Sequence, residues 1–308
     1  MNAPPALPTS TAIRCRRNFR SQVRSSWGLP TWAMDAGADV CVVSVHKMGT
    51  GFEQGSIFHQ QDRLIDAEQL SACADMLMTT SPNVMIYAAL DGWRRQMVQH
   101  GRATLDAALT LAGQVRCDIE TLPGLHVLRD EFLGAQASHD LDPLHVVIDV
   151  AGLGVNGYAA ADLLRKNRHI DMGLSDHRRI EATLSQADDH QTASRLTSAL
   201  AALTGHAADL PPASQVMLPS DVELELELAM LPRDAFFAAK ETVAADQAVD
   251  RICAEQITPY PPGIPVIIPG ERIIAELLGY LRSGVAAGMR LPDPADPGLN
   301  TIRVVSRH

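Results

Sequence analysis

Two short runs of apolar, mostly β-branched residues constrain the fold of this chain more than any other feature. Residues 38–44 and residues 145–150 each fit a buried strand, because a short valine-rich run can pack on both of its faces. Each run leads into three closely spaced glycines, at positions 49, 51 and 55 and at positions 152, 154 and 157. Segments with helical spacing follow both runs. The sequence therefore predicts an α/β fold with α+β elements, in which strands alternate with helices.

The remaining elements are predicted from periodicity and from helix-breaking residues. Apolar residues at helical spacing predict helices over residues 67–78, 85–99 with its continuation 102–117, 158–167, 189–203, 244–256 and 271–288. Short apolar runs predict strands over residues 57–59, 170–174, 180–184, 265–268 and 301–305. Glutamate and leucine alternate within residues 221–231 with the period of a half-buried strand. The polar segment 206–214 is a candidate linker.

The composition excludes several classes of protein. The 308-residue chain has a formal net charge of −10, which disfavours binding to nucleic acid and to anionic membranes. No apolar run approaches the roughly 18 residues that span a bilayer. The five cysteines include no C-x-x-C pair, which argues against a disulfide framework and against a zinc site, and indicates a cytoplasmic protein.

The first 28 residues differ in composition from the rest of the chain. Residues 1–26 contain five arginines and three prolines but no acidic residue. We expect residues 1–28 to be a disordered tail. The same composition also fits an organelle transit peptide.

The tetrapeptide Ser44-Val45-His46-Lys47 is the candidate site, because it lies where the first buried strand ends and the first glycine-rich segment begins. A lysine amine attacks an aldehyde only in its neutral form, which burial favours. A neighbouring hydroxyl and imidazole can hold a phosphate through hydrogen bonds. These properties suit an aldehyde cofactor that carries a phosphate. A surface turn with no function is the alternative, and the tetrapeptide alone leaves it open.

Longer motifs resemble the ornithine/lysine/arginine decarboxylases, which are fold-type-I enzymes that use pyridoxal 5′-phosphate (PLP). The matching segments are residues 29–48 with LPTWA, AGADV and SVHKM, residues 53–59 with EQGS, residues 79–83 with TTSPN, residues 149–158 with DVAGLG, and residues 258–271 with TPYPPGIP and PGE. The resemblance implies that Lys47 bonds the cofactor aldehyde and that Ser44 and His46 bind the cofactor phosphate.

The resemblance also implies how the domains are organised. It indicates the C-terminal part of a PLP-binding large domain over residues 29–125, a small α+β domain over residues 126–205 and the family's C-terminal domain over residues 215–308. In this family most of the N-terminal PLP-binding region precedes the lysine, and here 46 residues precede it.

The activity implied is decarboxylation of arginine, lysine or ornithine to the corresponding amine and carbon dioxide. The resemblance implies a homodimer, or association with a full-length homologue, and no nucleic-acid or membrane partner. The alternative is a non-catalytic paralogue that acts as an interaction or regulatory subunit of a full-length decarboxylase.

The glycines at 152, 154 and 157 allow a second interpretation, because they fit the G-x-G-x-x-G pattern of dinucleotide-binding folds between a strand and a helix. Asp171 lies near the position of the acid that binds the ribose in such folds. A dinucleotide fold needs several strand-helix-strand units, however, and the sequence indicates only one. We therefore expect these glycines to form a tight turn.

Overall fold

The structure, a computed structural model, describes residues 10–13, 28–61, 64–134, 138–220, 222–260 and 262–307. It divides into two compact units, each made of several stretches of the chain. Unit 1 comprises Met1–Asp118, Val127–Val146 and Thr183–Thr197, and unit 2 comprises Ile119–His126, Val147–Ala182 and Ser198–His308. The predicted domain boundaries at residues 125, 205 and 215 stay predictions.

Nine strands and six α-helices are assigned within the described residues. The strands are β1 (Ser10–Ile13), β2 (Val40–Ser44), β3 (Ser56–Gln60), β4 (His126–Leu128), β5 (His145–Asp149), β6 (Leu174–Ser175), β7 (Arg179–Thr183), β8 (Lys240–Ala244) and β9 (Thr301–Val305). The helices are α1 (Ala67–Leu77), α2 (Val84–Glu120), α3 (Gly157–Arg168), α4 (His190–Gly205), α5 (Pro232–Phe237) and α6 (Ala275–Ala287). None of the helices in the described residues combines the length and the apolar character needed to cross a membrane.

Strands β1, β2 and β3 form an antiparallel sheet in that order. The central strand, β2, starts with two buried residues, Val40 and Cys41, as its apolar sequence predicts. The structure differs from the predicted tail at Ser10–Ile13, which pair with Val40–Val43. The physical reason is that the edge of β2 offers unpaired backbone groups to any extended segment. The rest of the predicted tail up to residue 27 lies outside the described residues.

A second sheet has the strand order β4-β5-β7-β6. Val146 and Ile148 of β5 are fully buried, which confirms the predicted buried strand. The helix that follows, α3, begins where the Asn156 side chain accepts a hydrogen bond from the Ala159 N–H at 2.7 Å. The strand predicted over residues 170–174 is reduced to the two residues of β6.

The core of the C-terminal part lies between α6 and the antiparallel pair β8–β9. Leu277 and Leu281 of α6 are fully buried, and they belong to the same core cluster as Val304 of β9. The predicted helix 271–288 and the predicted strand 301–305 are thus confirmed, although the helix begins at residue 275.

Three predictions for the C-terminal part are wrong. The strand predicted over residues 265–268 is reduced to an isolated bridge between Ile267 and Ile257. No strand forms over residues 222–231, because the Glu223 carboxylate accepts hydrogen bonds from the Ser220 N–H at 2.6 Å and the Ser220 hydroxyl at 2.7 Å, which favours a local turn over a ladder. The helix predicted over residues 244–256 is only a short turn at residues 245–247. Asp250 has a φ of +62°, which ends any helix there, and the chain then pairs with other segments at Ile252 and Cys253.

The helices predicted over residues 85–99 and 102–117 are one continuous helix, α2, of 37 residues. Gly101 between them weakens a helix but does not end it, because glycine retains its backbone N–H and C=O.

Candidate functional site

The candidate site is the turn that follows β2. Val45 is fully buried and anchors this turn, and its carbonyl accepts the Gly51 N–H at 2.9 Å. A Cβ on Gly49 would lie 2.6 Å from the Val45 carbonyl oxygen, and one on Gly51 would lie 2.8 Å from the Val45 side chain. Glycine is therefore required at both positions, so the glycine-rich segment seen in the sequence is what allows the chain to close around Val45.

The three predicted site residues lie together on this turn. The Lys47 N–H donates to the Ser44 carbonyl at 3.1 Å, and the Thr50 N–H donates to the Lys47 carbonyl at 3.0 Å. Ser44 and His46 are half-buried, whereas Lys47 is exposed. A bond with an aldehyde calls for a sheltered amine, and the described part of this chain does not shelter Lys47. The role of Lys47 stays a prediction.

The chain has three lysines, and their amines differ in their surroundings. Lys166 Nζ lies 3.8 Å from the Asp162 carboxylate, and Lys240 Nζ lies 4.3 Å from the centre of the Phe236 ring. Among the described residues, the Lys47 amine has neither a hydrogen bond nor an ion pair. Lys47 therefore differs from the other two lysines in the surroundings of its amine.

The His46 ring is oriented by the far end of the same turn. Its Nδ1 lies 2.9 Å from the Gly55 carbonyl oxygen, so Nδ1 carries the proton of that hydrogen bond. The His46 Nε2 lies 3.9 Å from the exposed Glu53 carboxylate. The backbone N–H of His46 also donates to the Gly55 carbonyl, at 3.1 Å. One ring nitrogen of His46 is thus committed to holding the turn, and Nε2 remains for a ligand.

Two residues of the resembling motifs, 27 positions apart, contact each other. The rings of Trp32 and His59 contact each other edge to face, with their centres 5.0 Å apart and their planes at 88°. His59 lies opposite Cys41 in the sheet, and burial lowers the pKa of His59. The motif that begins at Leu29 therefore folds back against the strand pair that carries the candidate site.

A polar bridge that the sequence analysis missed reaches the turn from the segment after β7. The Gln186 Nε2 donates to the Thr50 hydroxyl at 2.7 Å, and the Thr104 hydroxyl of α2 donates to the Gln186 Oε1 at 3.2 Å. All three residues belong to unit 1. No sequence pattern indicates this bridge, because Gln186 and Thr50 are 136 positions apart and neither belongs to a motif.

The second motif, at the end of β5, has a structural explanation. The Arg178 guanidinium donates to the Asp149 carboxylate at 2.7 Å and 2.6 Å, and the Ala151 N–H donates to it at 2.8 Å. Burial would raise the pKa of Asp149, but these hydrogen bonds outweigh burial and hold the pKa below its usual value. Asp149 therefore acts here as an ionised brace for the glycine-rich turn.

The glycines of the G-x-G-x-x-G pattern are required by packing. A Cβ on Gly157 would lie 2.1 Å from the Arg179 carbonyl oxygen, and a Cβ on Gly152 would lie 2.8 Å from the Gly124 carbonyl oxygen. Asp171, the candidate ribose-binding acid, is instead paired with Arg165 at 2.5 Å. The tight turn expected from the sequence accounts for these residues without a nucleotide.

The side chains on the Lys47 turn fit a cofactor that carries an aldehyde and a phosphate. The described residues leave the Lys47 amine, the Ser44 hydroxyl and the His46 Nε2 without a hydrogen-bond partner, all within four positions of the chain. An amine suits an aldehyde, and a hydroxyl and an imidazole suit phosphate oxygens.

The chain is similar to known proteins over most of its length. The family model of the Orn/Lys/Arg decarboxylase major domain matches residues 28–191, and the model of the C-terminal domain of Orn/Lys/Arg decarboxylases matches residues 216–294. The chain is similar to the arginine decarboxylase of Halalkalibacterium halodurans, with 37% identity over 281 residues that cover 91% of this chain and 57% of that protein. It is also similar to the arginine decarboxylase of Bacillus subtilis, with 36% identity and coverages of 90% and 56%.

The chain thus spans a little over half the length of these relatives. Among solved structures, it is similar to the constitutive lysine decarboxylase of Escherichia coli, with a TM-score of 0.69, 18% identity, and coverage of 86% of this chain and 49% of that chain. This likeness confirms the predicted α/β fold.

Proposed function

Since the chain belongs to the Orn/Lys/Arg decarboxylase family, we propose that it acts in the PLP-dependent decarboxylation of arginine, lysine or ornithine to the corresponding amine and carbon dioxide. The observation that carries this proposal is the turn after β2, where the free amine of Lys47 lies on the same turn as Ser44 and His46. The turn falls inside the segment that the major-domain model matches.

Each of the three side chains has a separate task in the proposal. When bound, PLP supplies the electron sink for the charge that remains when carbon dioxide leaves the substrate. Lys47 bonds the cofactor aldehyde, and Ser44 and His46 bind its phosphate. Lys47 Nζ then returns a proton to the substrate α-carbon. The bond with the aldehyde forms only with a neutral amine, so water must be excluded from Lys47 in the working protein. The return of a proton to the α-carbon requires Nζ to carry that proton.

We propose that a second polypeptide, either another copy of this chain or a full-length homologue, covers Lys47. The exposure of Lys47 supports this, because a surface from elsewhere is needed to exclude water. Exposed apolar side chains on α1 and at the start of α2 provide further support, with Met76 at 79%, Leu77 at 88% and Met85 at 62% exposure. Large apolar side chains that are this exposed are typical of sites of protein association.

Arginine is the first substrate to test, because the two similar relatives are named arginine decarboxylases. We place the reaction in the cytoplasm, on the basis of the five cysteines without a C-x-x-C pair. The amine product would then belong to the polyamines or their precursors.

The proposal is tested by adding PLP to the purified protein and recording the visible absorbance that appears when a lysine bonds the cofactor. Borohydride reduction followed by peptide mapping identifies the lysine, and the chain offers only three. We expect the label on Lys47, no band in Lys47→Ala, and an unchanged band in the matched control Lys166→Ala. A label on Lys166 or Lys240 in place of Lys47 would contradict the proposal.

A non-catalytic subunit is the second candidate, and the exposure of Lys47 is the observation that favours it. Such a subunit needs no bond between Lys47 and PLP. Protein that shows no band at saturating PLP, but forms a stable complex with a full-length homologue, would support this second function over the first.

A further inference from the structure

The Lys47 turn is closed at a residue with an unusual backbone conformation. Thr50 has a φ of +59°, in the left-handed region that a β-branched residue rarely adopts. Its N–H donates to the Lys47 carbonyl, and the next N–H, that of Gly51, donates to the Val45 carbonyl. The conformation of Thr50 therefore decides whether both hydrogen bonds that close the turn can form.

Gln186 holds Thr50 in this conformation. Its amide spans the gap between the Thr50 hydroxyl, at 2.7 Å, and the Thr104 hydroxyl on α2, at 3.2 Å. The Thr104 hydroxyl also lies within reach of the His100 and Gly101 carbonyls of its own helix, so it has a fixed position. The bridge also forms if Oε1 and Nε2 of Gln186 are exchanged, because each threonine hydroxyl can either donate or accept a hydrogen bond.

Gln186 is itself fixed by a small hydrogen-bonded turn. The Asp188 carboxylate accepts the Ser185 N–H at 2.8 Å and the Ser185 hydroxyl at 3.0 Å. The preceding residue, Leu184, is buried and donates its N–H to the Leu144 carbonyl at 2.8 Å. The side chain of Gln186 thus projects from a rigid segment towards Thr50.

We infer that Gln186 is a positioning residue that fixes the Lys47 turn through Thr50, and thereby orients Lys47 for its bond with the cofactor. The inference rests on the proposed function. Gln186 touches neither the cofactor nor the reacting atoms; it acts on the backbone hydrogen bonds on either side of Lys47.

The first test measures the turn without any cofactor. Hydrogen exchange at the Thr50 and Gly51 amides reports how often the turn opens. We expect both amides to exchange about tenfold faster in Gln186→Leu, which keeps the bulk of the side chain but loses both hydrogen bonds. Thr104→Val should give a smaller increase. The matched control is Gln191→Ala, an exposed glutamine on α4, which should leave the exchange of both amides unchanged.

The second test measures PLP binding through the visible band. We expect the Kd for PLP to rise about tenfold in Gln186→Leu, and the band to stay unchanged in Gln191→Ala. A purely structural role would lower the melting temperature of the variant without a selective change at Thr50 and Gly51. Circular dichroism of each variant establishes that it is folded before exchange is compared.

Hydrogen exchange tests the role of Gln186, and the visible band of the wild type tests the proposed function. Unchanged exchange in Gln186→Leu would overturn the role of Gln186, even if wild-type Lys47 bonds PLP as proposed. Wild-type protein without the Lys47 band would overturn the proposed function, and with it the purpose inferred for Gln186, whatever the exchange data. Faster exchange together with weaker PLP binding is the result we expect.

Discussion

Replacement of Gly157 by alanine is the sharpest test of how the second glycine-rich turn is built. The added Cβ would lie 2.1 Å from the Arg179 carbonyl oxygen and 2.5 Å from the Asp176 carbonyl oxygen. Both of these neighbours are backbone atoms, which cannot swing aside as a side chain can. The start of α3 or the segment before β7 must therefore shift by about 1 Å to restore ordinary contact, and overpacking of this kind costs about 3 kcal/mol.

Gly154→Ala is the matched control in the same turn. Gly154 has a φ of +73°, but a Cβ there meets no atom within 4 Å. Alanine at this position would suffer only the penalty of the left-handed conformation, about 1 kcal/mol. The two variants thus separate a steric cause from a conformational one, and we expect Gly157→Ala to be the less stable by about 2 kcal/mol.

The measurement is the free energy of unfolding in urea, followed by circular dichroism for the wild type and both variants. If Gly157→Ala unfolds with the same free energy as the wild type, or is no less stable than Gly154→Ala, the steric argument for this turn is wrong.

Three further predictions concern the stability and reactivity of the chain. Leu281→Ala removes a fully buried side chain and should lower the free energy of unfolding by about 2–5 kcal/mol in urea titrations, whereas the exposed Leu218→Ala should leave it nearly unchanged. The pKa of Asp149 is lowered in the folded state, so the ionised carboxylate stabilises the fold at neutral pH, and this stabilisation is lost as the pH falls below the ordinary aspartate pKa near 3.8. Asp149→Asn should therefore be less stable than the wild type at pH 7 and should lose less stability on acidification. Burial raises the pKa of Cys253 to about 12, so Cys253 should resist alkylation at pH 8.5 in the native protein while the exposed Cys73 reacts. The free energy of unfolding should also fall as the pH rises above 9, because there the Cys253 thiol ionises only in the unfolded chain. Equal labelling of the two cysteines, or pH profiles that do not differ between Asp149→Asn and the wild type, would contradict these expectations.

Elements with strong local signals could be predicted from the sequence. Helix α1 follows Asp66, whose side chain accepts the N–H groups of Glu68 and Gln69, and helix α3 follows Asn156 in the same way. Each of these helices carries its own start signal and its own period, so its neighbours in space are not needed to recognise it. Strands β2 and β5 are equally local, because a short valine-rich run is by itself a strand signal.

Elements that depend on distant partners could not be predicted. Strand β8, with the sequence KETVA, has no apolar period, and it forms because β9 pairs with it some sixty residues later. The acidic run after Ser220 has a strand's period, but a local turn forms at its start and only an isolated bridge forms, at Leu228. Gln186 could not be predicted either, because its role depends on a hydrogen bond with Thr50 that only the folded chain forms.

The exposure of Lys47 leads to the last prediction. The bond with an aldehyde forms with an amine that is shielded from water. If a second copy of this chain excludes that water, the bond between Lys47 and PLP must depend on association. The Kd for PLP should then fall as the protein concentration rises, since a ligand that binds only the associated form is coupled to association by mass action.

This coupling is measured by titrating PLP at several protein concentrations over about a hundredfold range, with the oligomeric state recorded by ultracentrifugation in the same samples. Leu77→Asp, on the exposed apolar surface of α1, should weaken association and PLP binding together, although it lies outside the Lys47 turn. A Kd for PLP that is the same at every protein concentration would show that Lys47 bonds the cofactor without a covering copy. If a full-length homologue covers Lys47 instead, the coupling would appear only when that homologue is added, and the dependence on this chain's own concentration would be absent.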